Sequence, residues 1–168
     1  MLPDVKKILF STDLSPNALY AFRYAAYLRK VCQAEISILH VNEPPSADAL
    51  IAFEAYLSKE FREQKRKERT QLLLETIQGR FDRFCESELS GDPACNQLVV
   101  RKEVRSGYPA EMILRQAGRW SCDMIVMAAN AKGARQTFLG TVAKQVLRRA
   151  RIPVIVAPME KPPRRERR

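Results

Sequence analysis

The sequence is poor in the residues that most enzymatic sites need. It has one histidine, His40, and four cysteines, at positions 32, 85, 95 and 122. No two cysteines stand at the C-x2-C spacing of a zinc site, and none is grouped with a histidine at metal-ligand spacing. A cysteine nucleophile would have His40 as its sole histidine base. The G-x-S-x-G, H-E-x-x-H and G-x4-G-K-[S/T] patterns are missing. So are the His-x-Gly-His and Ser-Gly-Gly-x-Asp-Ser signatures of nucleotide-handling α/β enzymes. No catalytic or metal-binding residue is therefore assigned, and a catalytic role is not expected. No apolar run reaches the ~20 residues of a membrane-spanning helix, and Met1 to Phe10 lacks the layout of a signal peptide. A soluble, cytoplasmic protein without membrane insertion is expected, with reduced thiols and no disulfide framework. Cys32 falls on an apolar helix face and reads as a core residue. No internal repeat is visible.

Positive charge is plentiful. The 168 residues carry a net +10. The last eight, Lys161 to Arg168, hold five cations against one glutamate, a net +4 that leaves +6 for the rest. With two prolines, this tail (159–168) reads as a basic, disordered end. Lys59 to Arg69 is a second dense stretch, but Glu60, Glu63 and Glu68 interrupt it. Glu63 and Lys67 stand at i,i+4, as on a solvated helix face. No aromatic residues alternate with the cations in a base-stacking pattern. Specific nucleic-acid binding is not expected; weak adhesion to polyanions is.

The apolar residues fall into βαβ order. Val5 to Ser11 reads as a strand ending at Thr12-Asp13. Ser15 is an N-cap and Pro16 a first helical residue, and Ala18, Ala21, Phe22, Ala25, Leu28 and Cys32 share one helix face. Glu35 to Val41 is a second strand, ended by Asn42 to Pro45. Residues 46–90 form a long, charged helical insertion, with Leu50, Phe53, Leu57 and Phe61, then Leu73, Leu74, Ile77 and Phe81, at helical spacing. Gly79 is expected to break or bend it, and its basic middle to project into solvent. Ser90 to Pro93 is a loop and Leu98 to Val104 a third strand. Pro109 opens a helix with Ala110, Ile113, Leu114 and Ala117 inward, and Trp120 reads as a packing anchor. Asp123 to Ala128 is a buried strand and Ala129 to Phe138 a small-residue loop. Leu139, Val142, Ala143, Val146, Leu147 and Ala150 mark a last helix. Ile152 to Ala157 is a final β-branched run, which Pro153 assigns to an edge.

The loop between Met127 and Val142 lies at the carboxyl end of a strand, where open α/β sheets bind ligands. Small residues admit an anion to backbone amides, a helix N-terminus adds unpaired N–H groups, and Lys132 could add a charge. The same features also suit a plain tight connection.

These segments together resemble the universal stress protein family. Thr12-Asp13 and His40-Val41 stand where that family builds its adenosine pocket. Gly107-Tyr108-Pro109-Ala110-Glu111-Met112-Ile113 is similar to its G-x-P-A-E-x-I segment. Ile125-Val126-Met127 precedes the phosphate loop, which in ATP-binding members reads G-x2-G-x9-G-[S/T]. Here Ala128 and Ala131 replace the first two glycines and the loop is one residue short, giving A-x2-A-x8-G-T; Gly133, Leu139 and Gly140-Thr141-Val142 match. The resemblance covers residues 5–45 and 97–158. It implies one domain over residues 1–158, an α/β fold with a five-stranded parallel sheet of order 3-2-1-4-5 and helices on both faces, Rossmann-like and akin to the adenine nucleotide alpha hydrolases. It further implies a nucleotide site at Thr12, Asp13, Val41, Met127, Ala128, Ala131, Lys132, Gly133, Gly140, Thr141 and Val142. Asp13 could accept hydrogen bonds from a base or sugar, or bond local amides at the helix entry. His40 reads as structural.

Two functions follow. One is a non-catalytic stress-response module that acts through dimerisation and unknown protein partners and has a degenerate phosphate loop, as the alanines and the short loop favour. The other is an ATP- or AMP-binding stress protein that uses the crevice between the first and fourth strands. In both, the last strand (Ile152, Val154, Ile155, Val156) is the expected homodimer edge.

Overall fold

The computed structural model describes residues 3–46, 49, 51, 56–88, 95, 97–129 and 139–159. Its elements run β1 (Lys7–Thr12), α1 (Pro16–Cys32), β2 (Glu35–Asn42), α2 (Lys59–Glu88), β3 (Val99–Ser106), α3 (Pro109–Arg119), β4 (Met124–Ala128), α4 (Thr141–Arg149) and β5 (Val154–Ala157). The five strands form one sheet of order β3-β2-β1-β4-β5, and every pairing is parallel. Thus β1 lies in the centre and the chain reverses its direction of winding between β1 and β4.

Alternation along the strands divides the core between two faces. Ile8, Phe10, Ile36, Ile38 and Val126 point to a layer completed by α1 and α2. Leu9, Leu39, Ile125 and Met127 point to the opposite layer, with α3 and α4. Alanines 18, 21 and 25 let α1 lie close to the sheet, and Phe22 fills the gap to α2, edge-on to Phe10, Phe81 and Phe84. Ser15 caps α1, its Oγ accepting from Ala18 N at 3.2 Å. Trp120 is buried beneath the guanidinium of Arg101, 4.9 Å from its ring centre. On α4, Ala143 and Val146 are buried, but Leu147 turns outward at 41% exposure.

Two expectations fail here. Gly79 does not break the insertion: α2 runs unbroken for 30 residues. Glycine costs a helix about 1 kcal/mol, whereas burying Ile77 and Phe81 on either side of it recovers about 1.5–3 kcal/mol each. The thiols are not all reduced, because Cys85 and Cys95 form a disulfide with Cα atoms 5.8 Å apart. Cys85 sits near the end of α2 and Cys95 just before β3. That they meet is a tertiary event which a spacing of ten residues does not reveal. Cys32 and Cys122 are free thiols, and Cys32 packs against the core. Leu50, Phe53, the Ser90–Pro93 loop and the basic tail from residue 160 lie outside the described residues.

Asp123 ties the entrance of β1 to that of β4. Its Oδ2 accepts from the amides of Lys6 and Lys7, each at 2.8 Å, while its own amide donates to Lys7 O at 2.8 Å. Asp123→Ala leaves two amide donors without their charged acceptor. A loss of about 2 kcal/mol is expected, to be read as a lower urea midpoint at unchanged m-value.

Candidate functional site

The carboxyl ends of β1, β2 and β4 open into one crevice at the point where the winding reverses. Each wall follows from local sequence. At the end of β1, Thr12 Oγ1 accepts from Leu14 N at 3.1 Å and Asp13 Oδ1 from Ser15 N at 2.9 Å. These two bonds hold Leu14 in the left-handed region, at φ 59°, and swing the chain sharply into α1. Asp13 is exposed at the crevice rim. The helix-entry reading of Asp13 is thus realised at Oδ1, on a residue that also lines the crevice.

His40 pairs with Thr12 across β1 and β2. Its Nδ1 lies 2.9 Å from Thr12 O. A carbonyl can only accept, so Nδ1 carries the hydrogen and the ring is fixed in one orientation. This is a structural role, as expected. Val41 follows it, half-buried against the α3–α4 layer and lining the crevice.

The opposite wall is α4. Gly140 is its N-cap, with φ −66° and ψ 164°, and offers no side-chain cap. The first amides of the helix have no intrahelical acceptor, and Gly140, Thr141, Val142 and Ala143 line the crevice. A partial positive charge therefore faces the cavity. Met127 and Ala128 complete it from the end of β4.

The crevice encloses about 690 Å³, within the range of small-molecule sites. It brings together Thr12, Asp13, Val41, Met127, Ala128, Gly140, Thr141 and Val142 from four separate segments. Ala131, Lys132 and Gly133 lie outside the described residues. Sequence reasoning assigned no site role to Glu43, Tyr108 or Lys144, which also line the cavity. Tyr108, 67% exposed at the N-terminus of α3, presents an aromatic face at the mouth. Its signal was an unburied aromatic just past the carboxyl end of a strand.

Gly107 before it has φ +148°, and a Cβ there would stand 2.8 Å from Met112 Cγ, so only glycine turns the chain from β3 into α3 at this place. That turn is part of the segment similar to G-x-P-A-E-x-I.

A sequence profile described as the universal stress protein family matches residues 4–158. The chain belongs to the universal stress protein family. Universal stress protein MJ0531 of Methanocaldococcus jannaschii is 27% identical over 162 residues, which cover 96% of this chain and 85% of that protein. Among solved structures, that of the hypothetical protein MJ0577 superposes with a TM-score of 0.68 at 23% identity, covering 95% of this chain and 100% of that one. A universal stress protein solved in complex with cAMP gives a TM-score of 0.58 at 16% identity, covering 94% and 100%. These likenesses establish the family and its Rossmann-like sheet for this stress protein.

Chemically, the crevice offers acceptors on one wall and helix amides on the other. No cysteine lines it among the described residues. Cys122 is buried, and burial, with Asp123 nearby, pushes its thiol up to about 11, so it stays protonated and inert at neutral pH. No cluster of three or more potential metal ligands occurs among the described residues, and no described helix is long and apolar enough to cross a membrane.

Proposed function

We propose that this universal stress protein is a non-catalytic module holding the adenosine part of an adenine nucleotide in the crevice between β1 and β4. The observation that carries the reading is the crevice itself. It is open, it sits at the switch point of the sheet, and it sets Asp13 and the strand end at Val41 opposite the uncapped amides of α4. Asp13 and the backbone at Val41 would hold the base and ribose. The amides of Gly140, Thr141 and Val142 would face the phosphate. A fold neighbour bound to cAMP, an adenine nucleotide, points the same way.

The departures in the phosphate loop favour AMP over ATP. Alanines stand at 128 and 131 where ATP-binding members of the family carry glycines, which would leave less room for a triphosphate, and the loop sequence between Ala131 and Gly140 is a residue short. The acting unit is residues 1–158, with 46–90 as a charged helical insertion and 159–168 as a basic tail. It works as a homodimer joined along β5 and the residue pair before it, through Ile152, Val154, Ile155 and Val156, and passes its state to protein partners.

Calorimetric titration with AMP and with Mg·ATP tests this. AMP is expected to bind, and Asp13→Ala to weaken it about 10-fold, the loss of one charged acceptor. Asp13→Asn keeps an oxygen for the Ser15 amide and so separates damage to the turn from loss of the ligand contact. A folded protein that binds neither nucleotide would transfer the function to protein partners alone.

A further inference from the structure

A second cavity lies on the far side of α3, at the free edge of the sheet. Its walls are the middle of α2 and the outer face of α3, and its floor is the end of β3. It encloses about 610 Å³ and shares no lining residue with the nucleotide crevice. Five cations line it, Arg66 and Lys67 from α2, Arg105 from β3, and Arg115 and Arg119 from α3. No acidic and no aromatic side chain lines it among the described residues. The α2 wall is fixed to the sheet by Lys102, whose Nζ donates to Gln78 Oε1 at 2.6 Å and sits 4.2 Å from the Phe81 ring centre.

Two of the five cations, Arg105 and Arg66, already hold a carboxylate each, which puts the weight of the site on the α3 pair. Glu103 Oε2 accepts from Arg105 Nε at 2.8 Å and from Gln116 Nε2 at 3.1 Å. Glu63, which sequence spacing set against Lys67, instead meets Arg66 at 3.6 Å. The outward wall of α3 therefore presents exposed Arg115 and Arg119 to the groove.

We propose that this groove binds a linear polyphosphate, a chain of phosphates recognised through its oxygens alone. Four of the five cations are arginines, whose planar forks suit phosphate oxygens better than lysine does. The cavity is many times the size of one phosphate, and its cations come from three elements, which fits an extended anion. A nucleic-acid strand also carries phosphates, but the bases would find no aromatic platform among the described walls.

The full-length protein is titrated with inorganic polyphosphate over a range of salt. Binding is expected, and Arg115→Gln/Arg119→Gln should weaken it about 10-fold and flatten the slope of log K against log salt by about 1.4, or about 0.7 for each phosphate no longer neutralised. Both residues are exposed, so the variant should keep its circular dichroism and its AMP titration. A chain ending at Glu160 should retain the binding. The proposal is overturned if that truncation abolishes binding while the double variant keeps it, since the tail is then the site. It is equally overturned if polyglutamate of matched charge binds as tightly, or if a single-stranded oligonucleotide with the same number of phosphates binds more tightly.

Discussion

Val156→Pro is expected to sediment as a folded monomer, while the unaltered chain sediments as a dimer. The reason is the direction in which β5 turns its backbone. Ile125 N donates to Pro153 O at 2.9 Å and Ala129 N donates to Ala157 O at 2.7 Å. In a parallel pair, alternate residues address the same neighbour, so Pro153, Ile155 and Ala157 face β4. Val154 and Val156 turn their amides and carbonyls away from it, toward the edge where a second copy would pair. Proline at 156 removes one outward donor and leaves the ladder to β4 intact, which is the setting in which strands tolerate proline. Ile155→Lys should also give a monomer. Ile155 packs against the α1–α2 core and Val156 against the α3–α4 core, but lysine sets a charge there whereas proline stays apolar, so Ile155→Lys lowers stability more and is best read beside the circular dichroism of Val156→Pro. If both variants remain dimers, β5 is not the interface.

Reducing the Cys85–Cys95 disulfide should lower stability by about 2.7 kcal/mol, the loop-closure term for a sequence separation of ten. With an m-value of about 2 kcal/mol per M, the urea midpoint falls by about 1.4 M. The comparison is between the same chain with and without reductant. Cys32 and Cys122 are already thiols and should contribute no shift. The bond staples the end of α2 to the approach of β3, so its loss should first loosen the packing of α2. Four reactive thiols in the denatured, unreduced protein, with an unchanged midpoint, would show that the pair does not form. The same bond corrects the expectation of reduced thiols. Spacing alone cannot reveal a pair that meets only once the end of α2 and the start of β3 are packed together.

Local order was legible from the residues. Short continuous apolar runs such as Ile8-Leu9-Phe10 and Ile125-Val126-Met127 marked buried strands, and the Ser15-Pro16 start marked α1, because local apolar runs and capping are properties of neighbours in the chain. Pro153 marked an edge for the same reason. The strand order came from the resemblance of the motifs, since periodicity says nothing about which strands pair. It is the sheet order β3-β2-β1-β4-β5 that carries Asp13, Val41, Met127 and Gly140 to one crevice.

Three things were decided only in three dimensions. Helix α2 continues through Gly79 because Ile77 and Phe81 are buried against the sheet, an energy a local propensity does not contain. The disulfide joins residues that the tertiary path brings together. The basic groove sets Arg66 of α2 against Arg105 and Arg115 of β3 and α3, where the sequence showed a dense basic stretch but not what it would face. The sequence by itself determined which segments are strands and helices and which ends of them carry polar or small residues, because those depend on contacts within a few positions. The tertiary structure alone decided which of those ends share a cavity, because that depends on the burial of whole faces against one another.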